Sequence, residues 1–556
     1  MKLAIVETPA QAKSLTQVLG DGWHVESCSG FVRDLPSDRL GIDVDNEFHP
    51  TFALVPGNGN YVRRLMKAIR ESEAVYIATP PTIAGEATAW NALALSPDTD
   101  DKLIYRVMLP ALTPDTIRAA FSAPRPLDMR LVEAEVTERI INRLISWSIS
   151  AIGQKTVGVK KSLTYHGMIA LRLLAEREAE IAAHIPETRR HVSIYFEHDG
   201  VPFIAQVLNA KGARLTLRNA EQAAQLETLL KQGMFWVDKA EHVIEPQSVP
   251  TPLTLSDLIE TTHRELGLTS ERTLSLLHTL YEAGWITYPG SRPSHHLSEA
   301  AAAFIRHRFG AEYLAADAPV TAEIAPADVN REPEYLPGDG TALYALIWLD
   351  FIAAHMPAAQ KRIMSARVLV GATKGKPYPL ELRATAKMLY FDGWHRLVPT
   401  LDEDEVLPFL PEGTALRPKA ITMEAVSNKR PAYFTEGLLV RALMSLGISA
   451  PAAAHVIEQL QTASYATVEG DRLMLTEAGR TAANDLTASF DDLTSPNYAA
   501  EIYAEIAGIA AGERSRLDVL DTFWSRFGAT LRPAVPSSLR IVGEHKPVVL
   551  HLVEEA

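Results

Sequence analysis

Two short apolar segments, each placed before a helix start, constrain the fold of this chain more than any other feature. Residues 3–6, LAIV, are followed by Thr8 and Pro9, which are typical of the cap and first position of a helix. Residues 74–79, AVYIAT, form a second apolar run of the same kind. Short apolar strands that alternate with helices are typical of a parallel sheet covered on both faces. We therefore predict an α/β domain at the start of the chain.

Two charged residues stand where such a sheet would place its chemistry. Ligands of α/β sheets meet the carboxyl ends of the strands and the helix N-termini beside them. Glu7 is at the carboxyl end of the first strand, and Lys13 is on the helix that follows. A solvated carboxylate at a strand end is the alternative interpretation of Glu7.

Residues 272–298 contain a candidate nucleophile. Leucines at helical spacing predict an amphipathic helix that ends near Gly284. A β-prone run, WITY at residues 285–288, follows and is stopped by Pro289. A tyrosine held at the end of such a run could act as a nucleophile, or it could bury its ring and hydrogen-bond its hydroxyl. Tyr288 is therefore a candidate under both interpretations.

Size and charge set limits on the function. A chain of 556 residues and 61.0 kDa is too long for one hydrophobic core and should form about three to five structural units. The 54 Lys and Arg residues are outnumbered by 68 Asp and Glu residues, which gives a net charge of −14. Nucleic-acid binding depends on clustered basic groups, so this balance argues against tight binding of DNA, although it does not forbid a basic groove.

The sequence also predicts a compartment. No apolar run reaches about 18 residues, and the first residues form a strand, so we predict neither a membrane span nor a signal peptide. A cytoplasmic protein is the resulting expectation. The single cysteine, Cys28, excludes intrachain disulfides and a cysteine-rich zinc site.

Several longer motifs resemble one family. The opening IVETPAQAKSL is similar to I-V-E-S-P-A-K-A-K-T, and RTLSLLHTLYEAGWITY is similar to R-T-(M/L)-x-x-x-Q-x-L-Y-E-x-G-x-I-T-Y. These are motifs of the Toprim domain and the tyrosine segment of type IA DNA topoisomerases, which the chain resembles from Leu3 to about Leu531. The resemblance implies that Tyr288 attacks a backbone phosphate of single-stranded DNA. It also implies that Glu7 serves acid/base or metal chemistry and that Lys13 contacts DNA.

The resemblance implies a four-domain toroid of mixed α/β and α class. Residues 1–124 would form the Toprim domain with its Rossmann-like parallel sheet. Residues 125–190 and 400–534 would form a helical DNA-gate domain that includes a winged helix. The pattern from Lys429 onward itself predicts two helices and a β-wing centred on Gly470. A β-rich arch would take residues 191–252 and 336–399, and a winged-helix-like domain with the tyrosine would take residues 253–335. Residues 535–556 would be a C-terminal tail.

The sequence departs from the family at its magnesium motif. The family has D-P-D-R-E-G-E-A-I-A-W after the second strand, where two aspartates and a glutamate supply hard oxygen ligands. This chain has PPTIAGEATAW, in which Pro80 and Thr82 replace the aspartates and Ala84 replaces the first glutamate. Glu7 and Glu86 alone are a poor magnesium cage. We therefore predict no metal site and no bound cofactor.

Other charged positions of the family motifs are also replaced. Phe31 and Thr321 stand where the family has histidines, and Gly290 stands where it has an arginine two residues after the tyrosine. Arg292 is the candidate to take over the role of that arginine beside the attacked phosphate.

Five residues are candidate DNA contacts by position in motifs of the family. They are Arg33 in FVRDLP, Arg143 in the helix ERIINRLISW, Lys160 and Lys161 in GVKKS, and Thr435 in YFTEGLLV. The lysines could equally be solvated. Alanines 450, 452 and 453 fill the positions of a phosphate-binding R-P-S-T loop, which weakens the expected grip on DNA.

Three functions remain open. The first is a topoisomerase homologue with impaired catalysis that keeps the frame as a monomer and binds single-stranded DNA or a protein partner. The second is an active enzyme with a site rebuilt from Arg292, His295 or the lysine pair. The third is a scaffold that does not bind nucleic acid.

Overall fold

The computed structural model describes residues 1–57, 59–96, 102–156, 163–209, 211–250, 253–291, 295–316, 322–336, 338, 340–398 and 404–535. For residues 152–156 and 335 it describes the backbone alone. Arg292, Lys160, Lys161 and Thr321 lie outside the described residues, as does the predicted tail from 536 onward.

The first unit is built around a parallel sheet. Its elements are β1 (Lys2–Val6), α1 (Pro9–Leu19), β2 (Trp23–Ser27), β3 (Arg33–Asp34), β4 (Ile42–Asp43), β5 (His49–Pro50), β6 (Ala53–Leu54), α2 (Gly59–Glu71), β7 (Ala74–Ile77), α3 (Ile83–Leu93), β8 (Leu103–Arg106) and α4 (Pro114–Ser122). The strand order is β2-β1-β7-β8, with every pair parallel. Strands β1 and β7 are neighbours, so the helix starts that follow them share one edge of the sheet.

Two long helices connect this unit to the rest of the chain. They are α5 (Met129–Thr156) and α6 (Tyr165–Ala183). At 28 residues, α5 is about 42 Å long and packs against α3 as well as against helices near the C-terminus. Helix α5 therefore joins the first unit to the helices near the C-terminus.

An antiparallel sheet forms the β-rich unit. Its elements are β9 (Thr188–His198), β10 (Val201–Leu208), β11 (Thr216–Leu217), α7 (Ala220–Gln232), β12 (Met234–Pro246), β13 (Gln360–Thr373), β14 (Lys376–Phe391), β15 (Ala415–Leu416) and β16 (Pro418–Ser427). The order is β11-β9-β10-β14-β13-β12-β15, and β16 pairs with β9. The two strand-rich stretches of the sequence therefore form one sheet. Strands β15 and β16 add a third segment, 415–427, which the sequence analysis had placed with the helical domain.

The tyrosine-bearing unit is helical. It contains α8 (Leu255–Leu266), α9 (Ser270–Glu282), α10 (His295–Arg308) and α11 (Thr341–Ala353), with 3-10 turns at Ala311–Tyr313, Pro333–Tyr335 and Gly393–Arg396. Helix α9 ends two residues before Gly284, which has a φ of 72°. The predicted strand at 285–288 is wrong, because only Ile286 forms a bridge, to Pro326.

The C-terminal unit closes the described chain. It contains α12 (Glu436–Ser445), α13 (Ala450–Thr462), β17 (Ala466–Glu469), β18 (Arg472–Leu475), α14 (Glu477–Thr494), α15 (Pro496–Ala511) and α16 (Arg516–Leu531), followed by a 3-10 turn at Arg532–Ala534. The hairpin β17–β18 turns at Gly470, where the sequence analysis predicted it. Within the described part of the chain, no helix has both the length and the apolar character needed to span a membrane.

Gly85 in the first turn of α3 tests the packing at the sheet edge. A Cβ at this position would lie 2.0 Å from the carbonyl oxygen of Pro80, so a side chain forces that backbone to move. We expect Gly85→Ala to lower the free energy of unfolding by about 1–3 kcal/mol, measured by urea titration of the first transition. Gly59→Ala at the start of α2 is the control, since nothing lies within 4 Å of its added Cβ. Equal effects of the two substitutions would contradict this close approach.

Candidate active site

Tyr288 lies where the tyrosine-bearing unit meets the first unit. Its backbone N–H donates to the carbonyl of Pro110 at 2.7 Å. Its ring meets the ring of Tyr281 edge-on, with centroids 5.1 Å apart. The ring is half-buried, and no described residue forms a hydrogen bond with the hydroxyl. The tyrosine is thus fixed by its backbone and ring while its hydroxyl remains available.

Glu7 acts electrostatically on this tyrosine. It follows β1, and its N–H donates to Gln11 Oε1 at 3.1 Å. Burial raises the pKa of the Glu7 carboxyl, the charge of His278 opposes that rise, and Glu282 adds to it. Burial also raises the pKa of the Tyr288 phenol, and the Glu7 carboxylate raises it further. A phenol in this state stays protonated at neutral pH and needs a base to become a nucleophile.

His278 and Glu282 complete the group, and the sequence analysis missed both. They are one turn apart on α9, with His278 Nε2 3.3 Å from Glu282 Oε1. The Thr8 hydroxyl donates to the same Glu282 oxygen across the two units. Thr8 also caps α1 as predicted, since its hydroxyl accepts from Gln11 N. The signal was present in RTLSLLHTLYE, where His278 takes the position of the motif glutamine.

The polar groups of the loop between β7 and α3 already form hydrogen bonds within this edge of the sheet. Thr82 caps α3 by accepting from Gly85 N at 3.0 Å, and Thr79 donates its hydroxyl proton to Gly85 O at 2.6 Å. The carbonyl of Pro80 accepts from Arg106 Nη2 at 2.6 Å. The hydroxyl of Thr82 is therefore used to start the helix, and no carboxylate occurs from Thr79 to Gly85.

Glu86, the acidic residue that follows this loop, is fully buried in an ion-pair network. Its Oε2 accepts from Arg106 Nε and from Arg125 Nη2, each at 2.8 Å. Its Oε1 accepts from Arg125 Nη1 at 2.9 Å and from the backbone N–H of Asp128 at 2.7 Å. Both oxygens face cationic donors, which would repel a metal ion.

The donor set at this edge does not fit magnesium. Hard divalent cations take six or more oxygen ligands, with carboxylates among them. Here Glu86 is saturated, and the positions before it carry proline, threonine and alanine. Within the described ranges there is no cluster of three or more His, Cys, Asp or Glu residues that could hold a metal ion.

A cavity of about 1250 Å³ opens beside Tyr288 and is bounded by the first unit, α5, α6 and the start of α13. Its described lining carries the carboxylates of Asp34, Glu135, Glu138 and Glu323, and its cationic side chains, histidines aside, are Arg139 and Arg143. It also includes Pro289, Gly290 and the residues from Ser449 to Ala452. The nucleophile candidate therefore faces a space large enough for several nucleotides.

Comparisons with known proteins give the family. The sequence matches the family described as DNA topoisomerase over residues 126–521 and the Toprim domain over residues 2–112. This chain belongs to the type IA DNA topoisomerase family. The confirmed Toprim domain, together with the parallel and antiparallel sheets, bears out the predicted fold class.

Individual relatives agree with this assignment. DNA topoisomerase 1 of Pasteurella multocida is 29% identical over 96% of this chain and 67% of its own length. DNA topoisomerase 1 of Haemophilus influenzae is 28% identical over the same shares. Full-length topoisomerase I of Thermotoga maritima superposes with a TM-score of 0.83 at 26% identity, covering 95% of this chain and 90% of that one. The chain thus spans about two thirds of the length of these two bacterial enzymes.

In this type IA family member the two cavity arginines are already engaged. Arg139 pairs with Asp34 at 2.9 Å and Glu135 at 3.1 Å, and its guanidinium lies 3.8 Å from the centroid of the Phe31 ring. Arg143 donates to three backbone carbonyls between Leu35 and Arg39. Both guanidinium groups therefore already have internal acceptors, and neither needs a phosphate to satisfy its donors.

The other predicted contacts are dispersed. The Arg33 guanidinium lies over the rings of Phe52 and Trp90, 5.8 and 5.6 Å from their centroids, and burial lowers its pKa. Thr435 caps α12 by accepting from Leu438 N at 3.2 Å. Lys13 is exposed on α1. Of these residues and Arg143, only Arg143 lines the cavity, and the roles of Arg292, Lys160 and Lys161 remain predictions.

A partly buried polar network on the far cavity wall was also missed. Asn142 Nδ2 lies 3.5 Å from Glu138 Oε1 and 3.3 Å from His166 Nε2, which contacts the Tyr503 hydroxyl at 2.5 Å. Burial raises the pKa of Glu138 to about 7 and lowers the pKa of His166 to about 4. This wall of the topoisomerase-like cavity is therefore polar but carries little positive charge at neutral pH.

Glu86→Gln tests the buried ion-pair network. The substitution keeps an acceptor but leaves the buried Arg106 without its counter-charge. We expect a loss of about 3–5 kcal/mol in the free energy of unfolding, measured by urea titration. Glu73→Gln, which removes an ion pair with the N-terminus at a carboxyl 83% exposed, should leave the urea midpoint unchanged. If both substitutions have a small effect, the carbonyl acceptors of Arg106 are enough to stabilise its buried charge, and the prediction is contradicted.

Glu138→Gln tests the cavity wall by its pH dependence. With its pKa raised from 4.5 to about 7, Glu138 keeps a proton in the folded state that the unfolded chain releases. The free energy of unfolding should therefore fall as pH rises from 4.5 to about 7. Glu138→Gln removes the carboxyl and should reduce this decrease in the free energy of unfolding by on the order of 2 kcal/mol, measured by urea titration at several pH values. Glu133→Gln, on the exposed face of α5, should keep the wild-type slope. A wild-type slope in Glu138→Gln would contradict the assignment.

Proposed function

We propose that this protein is a type IA topoisomerase homologue whose magnesium-dependent chemistry is impaired and whose frame holds a single DNA strand in the cavity beside Tyr288. The observation that carries the proposal is the loop before α3. It supplies no carboxylate, and Glu86 behind it is saturated by Arg106 and Arg125. The family resemblance implies that magnesium supports strand reclosure and strand passage. This loop lacks the carboxylates that would bind the magnesium ion.

The number of replaced charges supports impairment. Phe31, Pro80, Thr82, Ala84, Gly290 and Thr321 stand where the family motifs have charged, ionisable or metal-binding residues. Removing one charge-stabilising donor from an active site costs about 10²-fold or more in rate. Even with partial additivity, six such losses would leave little turnover.

The residues that are kept support strand binding and residual attack. Tyr288 and Glu7 are in electrostatic contact, and Tyr288 lines the cavity. Attack on a backbone phosphate needs a nucleophile and a base more directly than it needs a metal ion. We propose that the protein acts as a cytoplasmic monomer.

Two alternatives have different support. An active enzyme with a rebuilt site would need Arg292, Lys160 or Lys161, which lie outside the described residues, or His295, which is exposed at the start of α10. A scaffold for a protein partner, without DNA, is favoured by one specific observation: Arg139 and Arg143 already have internal acceptors.

Plasmid relaxation tests the main proposal. We expect the purified protein with Mg²⁺ and negatively supercoiled plasmid to relax no more DNA than Tyr288→Phe does. An active type IA enzyme run in parallel shows that the conditions permit relaxation, which is read from the distribution of topoisomers on a gel. Mg²⁺-dependent relaxation that is lost in Tyr288→Phe would overturn the proposal.

Binding to a single-stranded oligonucleotide separates the proposal from the scaffold alternative. The logarithm of the binding constant falls with the logarithm of salt concentration by about 0.7 for each phosphate neutralised on a single strand. We expect measurable binding with a shallow slope, because few cations line the cavity. Absence of binding at low salt would favour the scaffold.

A further inference from the structure

The exposed face of α2 carries a run of positive charge that the function proposed above does not use. Residues 63–70 are RRLMKAIR, which contain four cations and no acidic residue in a chain whose net charge is −14. Arg63, Arg64, Lys67 and Arg70 are all exposed, whereas the buried residues of the helix are all apolar. These four cations form the basic face of α2.

The spacing of the cations places them along one side of the helix. Arg63, Lys67 and Arg70 are at positions i, i+4 and i+7, which are neighbours on a helix surface. At 1.5 Å per residue they cover about 10 Å of the helix axis. A row of this kind can contact successive phosphates of a nucleic-acid strand, because phosphate binding needs positive charge and no base-specific geometry.

Contacts within the protein leave this charge facing solvent. The guanidinium of Arg63 donates to the side chain of Asn60, which is neutral. The side chain of Lys67 is 73% exposed, and its Nζ is 3.9 Å from Glu71 Oε1, at the limit of an ion pair. The basic face of α2 therefore differs from the two cavity arginines of α5, whose guanidinium groups are engaged by internal acceptors.

Helix α2 begins at the edge of the sheet that carries Glu7. Arg64 Nη2 lies 3.2 Å from Glu26 Oε2 of β2. Glu26 is opposite Ile5 of β1, two residues before Glu7. From this edge α2 leads to the start of β7, at the opposite edge of the sheet. The basic face of α2 therefore runs from the edge of the candidate site across the outside of the sheet.

The start of α2 is also close in the chain to the cavity wall. Asp34 lines the cavity and pairs with Ala53 in the two-stranded sheet of β3 and β6. Helix α2 begins at Gly59, five residues after the end of β6. The cavity and the basic face are thus joined by a short segment of the first unit.

We propose that the basic face of α2 is a second DNA contact, which binds backbone phosphates of the single strand where it leaves the cavity beside Tyr288. The inference rests on the proposed function, in which the cavity holds that strand. The contact is independent of sequence, since phosphates carry no base information. It lets the protein hold DNA without the charged residues that the cavity has lost.

The test compares single-stranded oligonucleotides of about 8 and about 30 nucleotides, of which the shorter occupies the cavity alone and the longer extends beyond it. Binding to the full-length protein is measured by fluorescence anisotropy over a range of salt concentrations. Arg63→Gln/Lys67→Gln removes two charges from the basic face, and Arg63→Lys/Lys67→Arg keeps them. Arg306→Gln/Arg308→Gln is the matched control, because it removes two exposed cations from the last turn of another helix, α10.

We expect the wild type to bind the longer strand with a steeper salt dependence than the shorter one. Arg63→Gln/Lys67→Gln should lower the slope for the longer strand by about 1.4, which is about 0.7 for each of two lost phosphate contacts, and should weaken its binding at low salt by on the order of tenfold. Binding of the shorter strand should not change. The variant that keeps the charges and the α10 control should match the wild type with both strands.

A wild-type slope of Arg63→Gln/Lys67→Gln with the longer strand would overturn the inference. An equal loss in the α10 control, or an equal loss with the shorter strand, would also overturn it, because the effect would then not belong to a contact outside the cavity. These results would leave the proposed function intact. The proposed function fails separately, if the wild type does not bind the shorter strand or relaxes plasmid in the presence of Mg²⁺.

Discussion

The buried contact between Glu86 and Arg106 is the interaction on which the site region depends. Arg106 is fully buried at the end of β8 and donates to Glu86 as well as to carbonyls at Ile77, Pro80 and Val107. Since these acceptors belong to β7, the loop after it and α3, one guanidinium fixes the edge of the sheet where the family binds its metal. A buried charge is tolerated only when it is paired and hydrogen-bonded, so removing either partner would destabilise this edge of the sheet.

Different residues therefore form the frame of this edge and the positions where the family motif has carboxylates. Glu86 follows the lost acidic positions by two residues or more, and it shapes the site without offering an oxygen to it. Thr82 supports the same conclusion, because threonine caps α3 as an aspartate can, and the helix start survives the substitution. Pro80 contributes only its carbonyl, which any residue provides. Thr82 and Pro80 therefore hold the start of α3 and Arg106 without placing a carboxylate at the cavity edge.

The elements around the site could largely be predicted from sequence, because they depend on local patterns. Strands β1 and β7, helix α9 and the hairpin at Gly470 follow from apolar periodicity, caps and turn residues. The prediction of a strand at 285–288 was wrong because the backbone N–H groups of this run donate to carbonyls in different segments. Thr287 donates to Ala325, and Tyr288 donates to Pro110. Contacts between residues far apart in the chain were also out of reach. His278 and Glu282 look like a surface pair on a helix until Thr8, 274 positions away from Glu282, is placed against them.

The location of Tyr288 links the chemistry to the assembly of the units. Tyr288 is joined to the first unit by its own N–H on Pro110 O, by Tyr281 Oη on Leu109 O at 2.9 Å, and by the Thr8–Glu282 contact. Each of these bonds has one partner in the tyrosine-bearing unit and one in the Toprim domain. Moving the units apart would break all three and would separate Tyr288 from Glu7, since Glu7 follows β1 and Tyr288 follows α9. The electrostatic interaction between Glu7 and Tyr288 therefore depends on the contact between the two units.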